Sequence, residues 1–357
     1  MNFEMSDDRR MLAETLRRYL SEQYGWDHRL RVAYQAPFHD PEKWAGMADL
    51  GLFHALVGED RGGMGGSGFD IAVIFEEIGR ALCPEPVLGA VMAARLLSAT
   101  GTPLTALLSG ETRYAVAIGE LDAPYDLDGI ACRADRTGDG WRLTGRKSVV
   151  YGGGVADRLL VAARANGQIA LFDLAAAEAD LHPYAMIDGG PAAEVLLEDT
   201  PATPILPAAQ AALSDALDWG ALALSAEALG AMEATSAALI DYLGTRKQFG
   251  QPIGTFQALQ HRAVDLTIDI EQARSIVILA ASAMGTPVQA KRVAQAKHLV
   301  GRVARKLAEE AIQMHGGIAM TWEYPVSHYA KRLVMIDHQL GDSDHHLGRL
   351  IETLQTA

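Results

Sequence analysis

Apolar positions along the chain follow three rhythms, and the changes between them divide it. To about residue 110 they recur at helical spacing. The start, MNFEMSDDRRMLAETLRRYL, reads as a capped amphipathic helix, with Ser6, Asp7 and Asp8 suited to its positive end. FDIAVIFEEIGRALCPEP predicts another helix, stopped at Pro84 and Pro86. Between them GEDRGGMGGSGFD (Gly58–Asp70) lacks a Lys-Ser/Thr pair and follows no clear strand, so it reads as a flexible helix–helix connection rather than a phosphate loop.

From Arg113 to about Thr203 the period shortens to two. YAVAIGE, GWRLTGRKSVVYGG, DRLLVAARA and QIALFDL predict strands, with Asn166-Gly167 as a two-residue hairpin turn between the last two. AAEVLLEDTP predicts a further strand ended by Pro201, in a β-domain with antiparallel pairing. After Leu206 the helical period returns. ALSDALDWGALALSAEALGAMEATSAALIDYLGTRKQFG reads as one long helix, and Leu259, Ala263, Leu266, Ile270, Ala273 and Val277 mark one face of a second. A third starts near Thr286-Pro287 and breaks at Gly316-Gly317. The expected domains are therefore residues 1–110, 111–203 and 204–357.

Composition narrows the class. With 49% hydrophobic and 21% charged residues the chain suits a well-buried globular protein, and 6% aromatic content with abundant Ala and Leu favours packed helices. A net charge of −14 argues against a nucleic-acid partner, which needs a basic face. No apolar run is long enough to span a bilayer, and the start lacks a signal core. Cys83 and Cys132 have no metal-ligand spacing. A reduced, cytoplasmic setting with no metal is the expectation.

Two segments carry candidate chemistry. In TRKQFGQPIGTFQ, Arg246 stands at a helix end beside Phe249 and Gln257, and its planar fork suits a pyrophosphate. In QMHGG, Gln313 precedes Gly316 and Gly317, where a backbone without side chains can approach an anion closely. RKQFGQPIGTFQALQ and QMHGGIAMTWEYPVSHYAKR resemble the two bundle signatures of the acyl-CoA dehydrogenase family. The resemblance extends over the whole chain, through LGLFHALVGEDRGGMGG and GRKSVVYGGGVADRLLV, and is closest to short subunits of the pimeloyl-CoA dehydrogenase and steroid types through MIDHQLGDSDHHL. It implies an α+β fold with an N-terminal helical domain, a central β-domain and a C-terminal four-helix bundle. It also implies FAD, with Arg246, Phe249, Gln257, Gln313, Gly316 and Gly317 reaching the ADP half of a flavin whose ring lies on a neighbouring subunit.

In this family a Glu removes the α-proton of an acyl-CoA thioester and the flavin takes the β-hydride. Here the matching positions hold Leu340 and, on the first bundle helix, Gly220. Gly119–Leu127 stands where a Thr-Glu-Pro segment meets the flavin ring, and Val149 and Tyr151 stand where a Trp and a Thr usually do. Asp342 is a weak candidate base. It, Asp344 and Asp218 read more simply as caps or solvated residues. His338, His345 and His346 read as surface or interface residues, and His315 as a helix-end packing residue. The resemblance thus implies the small subunit of an α2β2 acyl-CoA dehydrogenase, active with a longer paralogous partner and passing electrons to electron transfer flavoprotein. The alternatives are a self-sufficient homo-oligomeric flavoenzyme with a non-standard base, and a non-enzymatic scaffold.

Overall fold

In a computed structural model, residues 5–138 and 140–355 are described. The order expected from the periodicity holds: helices, then sheet, then helices. The first helices are α1 (Asp7–Gln23), α2 (Trp26–Tyr34), α3 (Pro41–Asp49), α4 (Leu52–Ala55), α5 (Gly68–Ala81), α6 (Val87–Thr100) and α7 (Thr105–Leu108). The strands follow as β1 (Tyr114–Ala117), β2 (Arg133–Thr137), β3 (Gly140–Tyr151), β4 (Arg158–Ala165), β5 (Gln168–Ala175), β6 (Asp180–Ala185) and β7 (Pro191–Leu206). Next comes α8 (Gln210–Thr245), then a small hairpin of β8 (Lys247–Gln248) and β9 (Gln251–Pro252). The chain ends in α9 (Gln257–Ala283), α10 (Gln289–His315), α11 (Pro325–His338) and α12 (Ser343–Gln355). No helix among the described residues is long and apolar enough to cross a membrane.

The chain forms two compact units, each built from separated segments. One takes Asp27–Ser67 and Pro84–Gly220. In it the strands run in the order β1-β4-β2-β3-β7-β5, with β6 on β7, and β5 also pairs with β4, so the sheet closes on itself. Pairing is mixed rather than purely antiparallel: β1 and β2 both run parallel to β4. The Asn166-Gly167 turn joins β4 to β5 with φ of 52° and 82°, the left-handed pair such a hairpin needs. The Pro201 stop does not hold. β7 continues to Leu206 with Pro201 opposite Arg142, because the fixed φ of proline suits a strand and only one donor is lost. The Gly58–Ser67 connection is not loose either. A Cβ on Gly63 would lie 1.9 Å from the Val57 carbonyl, so glycine there serves close backbone packing.

The other unit takes the chain up to Trp26, Gly68–Cys83 and everything from Ala221. Its core is α8 to α12 with α1 and α5. Leu266, Ile270, Ala273 and Val277 are buried on α9 as the spacing predicts, while Leu259 and Ala263 are only half-buried. α5 and α8 touch backbone to backbone at two glycines: a Cβ on Gly79 would meet the Glu227 carbonyl at 1.9 Å and one on Gly230 the Glu76 carbonyl at 1.8 Å. Around that crossing Arg80 pairs with Glu76 at 3.0 Å and also with Glu233, and Arg17 pairs with Glu77 at 2.6 Å. The long helix of the sequence ends at Thr245, and the RKQFG that follows belongs to the hairpin.

Candidate functional site

The two motif segments meet at one end of the bundle. α9 runs antiparallel to α10, as the pairs Arg262–Glu310 (2.5 Å) and Lys306–Asp269 (2.7 Å) require, so the start of α9 lies beside the end of α10. The end of α8 joins them through Tyr242, whose ring stacks on His315 at 4.6 Å. His315 is otherwise fixed by a hydrogen bond of 2.7 Å between Nδ1 and the Ala311 carbonyl. Burial pulls the pKa of this imidazole below its ordinary value. It is a packing residue, as the sequence suggested.

This end is exposed. The Phe249-Gly250 turn has φ of 53° and 81°, both left-handed, and Phe249 is 91% exposed. Such turns favour Asn or Gly at the first position, so an aromatic ring held there and offered to solvent marks a surface shaped for something other than folding. The Arg246 guanidinium has no ion-pair or hydrogen-bond partner among the described residues. Gln257 and Gln313 are exposed as well. Gly316 takes φ 70° and ψ −151°, a conformation essentially confined to glycine, and nothing lies within 4 Å of a Cβ built on it or on Gly317. An unpaired cation, an open aromatic face, two amides and a bare backbone cradle fit the pyrophosphate and adenosine of a dinucleotide.

The turn after α11 is the opposite case: enclosed and heavily bonded. Leu340 has φ of 55° and Gly341 of 100°. A Cβ on Gly341 would strike His345 and His346 at 2.6 and 2.7 Å, so only glycine fits. His346 is 1% exposed, which corrects the surface reading, and its Nε2 lies 3.1 Å from the Leu340 carbonyl. Burial, with the charge of Lys297 nearby, pulls its pKa down to about 2, so it stays neutral and is a poor base. Lys297 is wholly buried, and its Nζ donates to the carbonyls of Ile336, Asp337 and Gly341 at 2.8, 2.9 and 2.8 Å. Burial pulls this ammonium down to about 7.

The acids near these positions have structural employment. Asp342 Oδ1 accepts from the His345 amide at 2.8 Å and so caps α12. Asp344 is exposed in the first turn of that helix. Asp218 is 4% exposed, so it is neither a cap nor solvated; α8 carries it on a buried face beside Trp219. Glu227, which the sequence reading passed over, is also buried and accepts from Arg332 Nε at 2.7 Å, while Arg332 Nη1 donates to Gln339 at 3.0 Å. Gly220 lies inside α8, where the chain passes from one unit to the other. Among the described residues no group of three or more His, Cys, Asp or Glu could hold a metal.

In the β unit, Val149 sits at a bulge in β3 with φ of 51° and is 40% exposed. A β-branched residue there is strained, and Glu194 holds it by accepting the Val149 amide at 3.1 Å and the Arg146 guanidinium at 2.8 Å. The Tyr184 hydroxyl also donates to Glu194 (3.2 Å); burial and that carboxylate push the phenol up to about 12. The Gly119–Leu127 loop is anchored inward. Glu120 accepts from the Ala131 and Cys132 amides at 2.8 and 3.0 Å and from the buried Lys147 at 2.7 Å.

Residues 210–354 match the acyl-CoA dehydrogenase C-terminal domain, and residues 6–105 match its N-terminal domain. The acyl-CoA dehydrogenase IpdE2 of Mycobacterium tuberculosis is 32% identical over 329 residues, 91% of each chain. Among solved structures, the ChsE4-ChsE5 complex from Mycobacterium tuberculosis is similar at a TM-score of 0.91 and 25% identity, covering 100% of both chains. A variant of the Tcur3481-Tcur3483 steroid ACAD is similar at a TM-score of 0.89 and 28% identity, covering 98% of each.

Proposed function

The chain belongs to the acyl-CoA dehydrogenase family of FAD-dependent oxidoreductases, and from that premise we propose that it is the small, base-free subunit of a heteromeric enzyme of this type. Arg246, Phe249, Gln257, Gln313, Gly316 and Gly317 would hold the ADP half of an FAD. The flavin supplies hydride acceptance when bound, and its ring and the proton-abstracting Glu would belong to a longer paralogous partner, in an α2β2 assembly. Electron transfer flavoprotein would be the oxidant, and an acyl-CoA the substrate.

One observation carries this reading: the unequal fate of the two ends of the site. The dinucleotide end is open and pre-shaped, with Phe249 exposed and Gly316 in a glycine-only conformation. At the matched base positions stand Leu340 and Gly220, which have no proton-accepting group, and the neighbouring acids Asp342 and Glu227 are committed to a cap and an ion pair. The similarity to the ChsE4-ChsE5 complex and to the Tcur3481-Tcur3483 steroid ACAD supports it. The test is purification of the chain with and without its partner. The proposal expects no acyl-CoA oxidation by the chain alone and full flavin and activity in the complex. Stoichiometric FAD and turnover in the isolated chain would overturn it.

A further inference from the structure

The turn that carries Leu340 is bonded on every side, although the residue at its centre has no reactive group. α10 contributes through a ladder of positions one turn apart, Lys297, Gly301 and Arg305, and through His298 beside the first. Lys297 reaches three carbonyls, and beside it His298 Nδ1 lies 2.9 Å from the Ser343 carbonyl. At Gly301 a Cβ would fall 1.9 Å from Asp337 Oδ1, so the missing side chain makes room for that carboxylate. Arg305 then pairs with Asp337 at 2.6 Å. Asp337 in turn accepts from Ser343, through the amide at 3.1 Å and the hydroxyl at 2.6 Å. From α11, Arg332 holds Gln339, and from α12, His346 meets the Leu340 carbonyl.

Lys297 is the keystone by geometry. Two of its acceptors, Ile336 and Asp337, are carbonyls of the last turn of α11, where the helix runs out of amide donors; Ile336 also takes the Gln339 amide at 3.3 Å. The third, Gly341, lies just past Leu340. A single ammonium therefore ties the end of α11 to the far side of the turn, using all three of its N–H groups. A left-handed backbone is unfavourable for Leu and persists only where its surroundings over-determine it.

We infer that Lys297 is the positioning residue for position 340: it, and not the side chain at 340, holds the turn in its left-handed form, as a fixed mount at the place matched to the family's base. The functional meaning rests on that match, and hence on the proposed function; the geometric claim does not. Its consequence is coupling. Glycine takes a left-handed backbone freely, so a turn with Gly at 340 should need the latch less.

The experiment is a double-mutant cycle on the full chain in its native assembly, read by amide hydrogen exchange of residues 339–346. Lys297→Met, which keeps the length and loses the donors, is expected to raise exchange there by about tenfold or more. In the Leu340→Gly background the same substitution is expected to raise it several-fold less. If Lys297→Met does not accumulate, Lys297→Arg replaces it, since a planar fork cannot aim three donors from one point. Equal effects in the two backgrounds would reduce Lys297 to a general packing residue and overturn the inference. Flavin content and turnover do not enter this readout, so its failure is separable from failure of the subunit assignment.

Discussion

The ring of Tyr242 stacks on His315 with 4.6 Å between centroids, and that contact joins the end of α8 to the end of α10. Arg246 follows one of these residues by four positions and Gly316 follows the other directly. The spacing between the guanidinium and the bare backbone therefore depends on this pair. Replacing Tyr242 by Ala is expected to weaken FAD retention in the assembled enzyme about three- to tenfold, the scale of an aromatic pair, with the helices intact. Flavin titration by fluorescence quenching, with far-ultraviolet circular dichroism as the control, checks it.

Arg246→Lys keeps the charge and loses the fork. Loss of a charge-assisted bidentate contact should lower flavin affinity by roughly tenfold or more, corresponding to about 1.5–3 kcal/mol. The melting temperature of the chain without flavin should not move, because Arg246 is exposed and bonds within the fold only through its backbone, which the substitution keeps. A fall in that melting temperature would return Arg246 to an ordinary structural role.

Glu227 and Arg332 are a buried pair at 2.7 Å with side chains 6% and 16% exposed. Arg332→Ala strands the carboxylate and should destabilise the chain by about 3–5 kcal/mol in urea titration, whereas replacing both with Leu and Met should recover most of that. Were the single variant as stable as the parent, the ion pair would not be what binds α8 to α11.

Burial alone would raise the Asp337 carboxyl, but hydrogen bonds from Ser343 and Arg305 and the charge of Lys297 outweigh it and hold the group below its ordinary value of 3.8. The unfolded chain therefore binds this proton first as pH falls. The resulting stability is fully present above about pH 4 and is lost as pH drops through the depressed value. Asp337→Asn should flatten this acid limb of stability against pH while lowering stability at pH 7; an unchanged acid limb would contradict the assignment.

The helical faces were legible because burial repeats with the helical period, as at Leu266, Ile270 and Val277. The residues proposed to hold the dinucleotide sit in two short runs of sequence, and the fold brings those runs to one end of the bundle. Burial of a charge, by contrast, leaves no mark on the hydrophobic pattern. Lys297 in QAKHLVGR reads as an ordinary surface lysine, and only the carbonyls of α11 and Gly341 reveal it as enclosed. The burial of Asp218 and Glu227 is hidden in the same way, and DSDHHL gives no sign that the neutral His346 is enclosed. β2 and β6 show no strand alternation in the sequence because β2 buries a single residue and β6 buries none.

As proposed, this chain completes a flavin site whose chemistry lies on another subunit. Native mass spectrometry of the complex, comparing the parent with Arg246→Ala in this chain only, decides the matter. One FAD is expected for each pair of unlike subunits in the parent, with loss of flavin from the otherwise intact assembly in the variant. One FAD per chain, or full flavin occupancy in the variant, would contradict it.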